Sequence, residues 1–347
     1  FGVVFNASHY VFEGFDVTGA ANACLIHKAD DVTIRDVVVH DCPNHGILGT
    51  DWESGSLTIE FSEVYGCGSG MYEHQIYIAT DETMYPGSVF RLQHSYVHDG
   101  NGGNNVKTRA ERNEIYCNWI ENSVYHGIDL VPPDGQDPWL AREDADVVGN
   151  VVIMDSEWYV SRMGSDYEDY GTDGRFRFAY NTFVSNASAT AFFRLQFALE
   201  SASFYNNAFL MSDGGSIPLV HDGDAWWVSG EQVDGARNFV ASSLDAASFF
   251  TDTVTGADPG FVTSFVPGEG SPLVDRGGSI GMGPPGYEVP NGWALPDCVP
   301  PNGAKNDDLV AYGRPLHGVP DIGAYELGTT FEPGPGPGPG GGGSGGG

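Results

Sequence analysis

Positive charge is scarce in this chain of 347 residues: 15 Lys+Arg stand against 47 Asp+Glu, a formal net charge of −32. Three of those cations are lysines, Lys28, Lys107 and Lys305. A nucleic-acid partner needs a basic face to displace counterions, so the balance argues against one. Binding to an anionic membrane surface is disfavoured for the same reason. No run reaches the roughly 18 apolar residues of a spanning helix, so no direct membrane span is expected. P-loop, H-E-x-x-H and C-x-x-C motifs are missing as well, which removes their chemistries. What is plentiful is glycine, 49 residues, with 21 prolines. That composition favours turn-rich β structure over helices. The chain starts at Phe1 with FGVVF, which reads as a strand interior, so a processed or truncated start is expected. From Glu332 it runs EPGPGPGPGGGGSGGG, a stretch that forms no core and reads as a tether.

One template recurs eight times: FEGFDVTGA from Phe12, IRDVVVHDC from Ile34, IEFSEVYGC from Ile59, LQHSYVHDG from Leu92, IYCNWIENS from Ile115, VVGNVVIMD from Val147, FAYNTFVSN from Phe178 and FYNNAFLMS from Phe204. The first slot is always apolar. So is the sixth: Val17, Val39, Val64, Val97, Ile120, Val152, Phe183 and Phe209. The spacing has a floor of about 22 residues with irregular insertions, which suits β-helix coils better than helical repeats of fixed length. The fourth slot holds Asn118, Asn150, Asn181 and Asn207 in consecutive coils, a pattern that predicts a ladder of stacked amides. A second strand per coil reads as GILGT, QIYIAT, NVKTRA, GIDLV, YVSRM and FFRLQ. The expected fold is all-β, a right-handed parallel β-helix over residues 1–240, an irregular Pro/Gly-rich closing segment over 241–328, and a disordered linker over 329–347.

The closing segment carries DPGF from Asp258, GSPLVDRG from Gly270 and GRPLHGVPDIGAYELG from Gly313. With NNVKTRAERNEIYCNWIEN from Asn104 and HGIDLVPPDG from His126, these resemble a family of bacterial secreted right-handed β-helix proteins. That family is named for its variable, "choice-of-anchor" surface attachment. The resemblance spans about residues 12 to 328, and DIGAYE is its most specific mark. It implies a pectate-lyase-like fold and an extracellular or cell-surface life, tethered through the C-terminal linker. It implies no single activity.

The fold hosts polysaccharide lyases, glycoside hydrolases and binding or adhesive shafts. A lyase acting on a uronate needs a base, a proton donor and positive charge to neutralise the carboxylate. Nine of the fifteen basic residues lie between Arg91 and Arg194. In the second-strand register Lys107 shares an outward column with Leu48, Tyr77, Asp129, Ser161 and Arg194. Lys107 is the candidate base; Arg109 and Arg112 depress its pKa and, with Arg194, hold the substrate carboxylate. His126 or Tyr77 is the candidate proton donor, Asp129 orients Lys107, and His74 stands in the slot corresponding to His126. The competing reading is structural: Lys107–Asp129 and Arg109–Glu111 as ordinary ion pairs between coils. The leading function is therefore a polysaccharide-lyase-like enzyme acting on an acidic, uronate-containing polysaccharide by β-elimination. The alternative is a non-catalytic structural, adhesive or carbohydrate-binding shaft. An inverting glycoside hydrolase stays open, but acids are too abundant for any pair to be informative.

Three further expectations concern ligands and cross-links. The loop GSDYEDYGTDG carries Asp166, Glu168, Asp169 and Asp173, oxygen donors that suit calcium, although a solvated acidic loop is the competing reading. Trp226 and Trp227, beside Asp222 and Asp224, form a candidate sugar platform, with packing the alternative. Cys42 and Cys67 share the ninth slot in adjacent coils, so a disulfide is expected between them, and none among Cys24, Cys117 and Cys298.

Overall fold

The computed structural model describes residues 2–133, 143–166, 172–280 and 296–331. Among them every regular element is a strand. Three parallel sheets run along the molecule, and each coil but the last contributes one strand to each. Sheet 1 has nine strands, from Val3–Phe5 to Val220–His221. Sheet 2 has ten, from Tyr10–Glu13 to Phe250–Thr251, and sheet 3 ten, from Asp16–Thr18 to Val254–Gly256. The chain is thus a parallel β-helix, and its coils continue past residue 240 to Gly256.

The register is the one the apolar slots predict. Ile34 pairs with Phe12 and Ile59, and Leu92 with Ile59 and Ile115, in an unbroken column of sheet 2. Sheet 3 repeats this with Val17, Val39 and Val64. Ile34, Ile59 and Val147 are wholly buried. In the first coil Phe12 and Val17 are partly exposed.

The bend from sheet 2 to sheet 3 uses two residues. The first adopts a left-handed backbone at coil after coil: Asp36, Phe61, His94, Cys117, Gly149, Tyr180, Asn206 and Arg237 all have φ between 49° and 70°. The second turns its side chain inward, and here the asparagines stack. Asn118, Asn150 and Asn181 each give their backbone and side-chain N–H groups to the amide oxygen of the next asparagine, and Asn207 gives both to Asn238. The ladder is one rung longer than the repeat predicts. Its other amide hydrogens satisfy strand carbonyls, as Asn150 does for Ile115 at 2.8 Å. Replacing Asn150 by alanine leaves the Asn118 N–H buried without a partner and takes from Asn118 Nδ2 and Ile115 C=O one hydrogen bond each. At about 1–3 kcal/mol per orphaned group, the expected loss is about 3 kcal/mol in urea unfolding. A loss under about 1 kcal/mol would show that the ladder carries little of the stability.

The Pro/Gly-rich segment supplies the last two coil strands, Phe250–Thr251 and Val254–Gly256, and Leu244, Phe249 and Phe250 pack on the core there. It then folds back along the outer face of sheet 3, because that face is apolar and needs cover. Tyr96, Trp119 and Val151 pack against Val266, Val299, Ala324 and Tyr325, and further along Val184, Ala208, Leu210 and Phe239 pack against Leu273 and Ile322. DIGAYE is the centre of this clasp. Gly323 has φ 97°, and a Cβ there would lie 2.9 Å from Thr182 Oγ1, so close approach to the sheet requires glycine. Buried Arg314 holds the segment together through Glu326 at 2.6 Å and the carbonyls of Asp321, Gly323 and Ala324.

The cysteines also differ from expectation. The disulfides are Cys24–Cys42 and Cys117–Cys298, and Cys67 is a buried thiol. The corner cysteines project toward the strand start of the preceding coil, not toward each other. For Cys42 that position is Cys24. For Cys67 it is Gly46, where the thiol fills the space of the missing side chain, 3.1 Å from where a Cβ would sit. Burial pushes the Cys67 thiol up to about 12. Alkylation without reductant should therefore label Cys67 alone, and only after unfolding. A peptide linking Cys42 to Cys67 in a mass map would contradict this pairing.

Candidate functional site

The outward column of sheet 1 reads Leu48, Tyr77, Lys107, Asp129, Arg162, Arg194 and His221. Arg162, not Ser161, occupies the fifth place, because Ser161 pairs with Ile128 and Phe193 in the inward column. Sequence reasoning missed Arg162 for this reason: a one-residue slip in a strand exchanges the two faces. Lys107, Arg162 and Arg194 thus stand in one line over three coil steps, about 14 Å at ordinary strand spacing.

Asp129 is fully buried and belongs to Arg162. It accepts from Arg162 Nε at 2.6 Å and Nη2 at 2.8 Å, and from Asn104 Nδ2 at 2.8 Å. Among the described residues no carboxylate is bonded to Lys107, so the expected Lys107–Asp129 ion pair is not made. The Lys107 ammonium lies instead 5.2 Å from the centre of the Tyr77 ring. Burial, helped by the charges of Arg109 and Arg162 and opposed by Asp129, holds its pKa below the ordinary lysine value. Arg109 lies two residues along the same strand. It donates to the Tyr77 hydroxyl at 2.9 Å, to Pro132 O, and to Asp166 at 3.0 Å. It makes no pair with Glu111, whose carboxylate receives the Gly87 N–H.

No protein-family model matches this chain, and no curated protein matches it. The reading of the site therefore rests on its geometry.

The remaining candidates separate. Arg112 lies on sheet 2, beyond the corner, where it and Arg177 pair with Asp146, so it takes no part in the sheet 1 face. His74 and His126 belong to a buried column at the entry edge of sheet 1. His45 Nδ1 accepts the His74 N–H at 3.0 Å, His74 Nδ1 that of Asn104 at 2.9 Å, and His126 Nδ1 that of Tyr159 at 3.4 Å. Accepting at Nδ1 places the proton of each neutral ring on Nε2. Burial lowers His74 to about 2 and His126 to about 3, so both rings stay neutral. His126 has no exposed surface, which removes it as a proton donor to a bound chain.

At the far end Arg194 donates to Asp224 at 2.5 Å and lies over the Tyr159 ring. Trp226 is 43% exposed, whereas Trp227 is partly buried and packs against the core. In the acidic loop Asp166 is committed to Arg109 and Asp173 is exposed. Glu168 and Asp169 lie outside the described residues. Among the described residues the one compact set of metal-ligand side chains is His94, Cys117 and Cys298, and there both cysteines are in the disulfide.

Proposed function

We propose that this protein is an extracellular polysaccharide-lyase-like enzyme that cleaves a uronate-containing polysaccharide on the outer face of sheet 1. The observation that carries the reading is Lys107: a half-buried amine with no bonded carboxylate, beside Tyr77 and between two guanidinium groups. Lys107 takes the proton next to the uronate carboxylate. The electron pair of that C–H bond forms the ring double bond, and the bond from the neighbouring carbon to the glycosidic oxygen breaks. Tyr77 gives its proton to the departing oxygen, and the guanidinium of Arg109 bonded to that hydroxyl favours the charge left behind. Arg162 and Arg194 face the substrate carboxylate, where they stabilise the negative charge that builds up. Trp226 stands near Asp224 as a stacking surface for a further sugar.

The test is a screen on pectate, alginate and glycosaminoglycans, followed by ultraviolet absorbance of the unsaturated product. Absorbance rising on one uronate polymer is the expected result. Binding to such a polymer with no absorbance change on any would replace the enzyme with a carbohydrate-binding shaft.

A further inference from the structure

We propose that His94, Cys117 and Cys298 form a thiol-gated site for a metal ion of the zinc class, closed while the two cysteines are a disulfide and open once they are reduced. The ligand atoms of the three residues all lie within 4.8 Å of one another. Around a tetrahedral zinc, sulfur and nitrogen ligands stand roughly 3.5–4 Å apart. Small shifts therefore suffice once the sulfurs part.

The fold brings the three groups together from two directions. His94 and Cys117 hold the same corner position in successive coils, each with a left-handed backbone at φ 52°. The next coil has Gly149 there. A Cβ on it would lie 3.2 Å from Cys117 Sγ and 3.4 Å from Pro296, so a missing side chain leaves that place to the clasp, which brings Cys298 to the corner. From the preceding coil the Phe61 ring stacks on His94, centres 5.0 Å apart, and fixes the plane of the imidazole. His94 Nδ1 is buried without a hydrogen-bond partner, whereas His74 and His126 accept backbone N–H groups at the same atom. Burial, opposed by Glu60 and Asp297, holds His94 down to about 4, so its ring is neutral, the form that ligates a metal. Two thiolates and an imidazole select zinc or copper(I) over calcium.

Opening the site takes two electrons. A dithiol supplies them: the Cys117–Cys298 bond breaks, two thiols form, and the reductant becomes a disulfide. The thiols lose their protons as the metal–sulfur bonds form. An oxidant takes the electrons back, remakes the bond and expels the ion. Either state ties Cys298, and with it the clasp, to the coil. The ion fastens the clasp where thiols are kept reduced, and the disulfide fastens it where they are not. The site does not depend on the lyase reading.

The test treats the folded full chain with excess dithiol under nitrogen, removes the dithiol and titrates with Co2+. Thiolate-to-cobalt absorbance in the near ultraviolet should saturate at a single ion per chain and disappear when zinc is added. The untreated chain should show none. His94→Ala leaves the disulfide intact and should weaken cobalt binding about tenfold or more, at least the loss that removal of a supporting group causes. Cys298→Ser should abolish binding, while Cys42→Ser and Cys67→Ser keep it. No thiolate absorbance from a chain whose Cys117 and Cys298 are free by mass mapping would overturn the site. So would absorbance that Cys298→Ser retains, an affinity that His94→Ala leaves unchanged, or a Cys117–Cys298 bond that withstands the dithiol.

Discussion

Replacing Lys107 by glutamine is expected to lower uronate cleavage by about 10³-fold or more, within the range a general base contributes, and to leave the melting temperature nearly unchanged. The second half of that expectation comes from the structure. Asp129 keeps both of its Arg162 hydrogen bonds and the one from Asn104 when the lysine is gone, so no buried charge is orphaned. The pH profile tests the same assignment. The free amine is the active form, so cleavage rises with pH. Burial and the two guanidinium groups hold the lysine below its ordinary value, which places the inflection below the usual lysine range. Cleavage that survives the substitution, or a marked drop in melting temperature, would assign the column to coil pairing alone.

Asp129→Ala is expected to be the most destabilising single change on this face, about 3–5 kcal/mol in denaturant unfolding, because truncating one partner strands the other's charge. Arg162 is 8% exposed, and removal of the carboxylate leaves its guanidinium and the Asn104 amide without their acceptor. Pairing with Arg162, aided by the nearby charge of Lys107, overcomes burial and holds the folded carboxylate below its ordinary range. Its contribution is therefore present above the unfolded carboxylate value of about 3.9 and lost as pH falls below it. The variant should accordingly lose part of the parent's sensitivity to acid in that window. If Asp129→Ala fails to fold, Asp129→Asn gives the same comparison with the hydrogen-bonding shape retained. A loss under about 1 kcal/mol would mean that Arg162 finds another partner.

The coil register was legible because it depends on one property, apolarity, at two fixed offsets, and Phe12 through Phe204 supply it without exception. The asparagine ladder was legible because an inward amide needs a partner, and stacking gives it one. The face of sheet 1 was only partly legible. Tyr77, Lys107 and Asp129 were placed correctly, but the loop before Tyr159 sets where the next strand starts. Val160 there turns into the core, and Arg162 takes the outward column in place of Ser161. The disulfides failed for a related reason. Slot position states which residues stack, whereas Cys24–Cys42 joins a strand start to the following corner, a direction that the repeat does not encode.

The clasp along sheet 3 also has a kinetic meaning. Coils joined by neighbouring contacts can assemble one after another as the chain emerges. Sheet 3's outer row of Tyr96, Trp119, Val151 and Val184, however, stays uncovered until Leu273, Val299, Ile322 and Tyr325 arrive from far downstream. The Cys117–Cys298 bond bridges 181 residues of that interval. During synthesis the growing solenoid therefore shows an apolar stripe that another copy could cover. These downstream residues decide whether the solenoid finishes as one molecule or sticks to its neighbours.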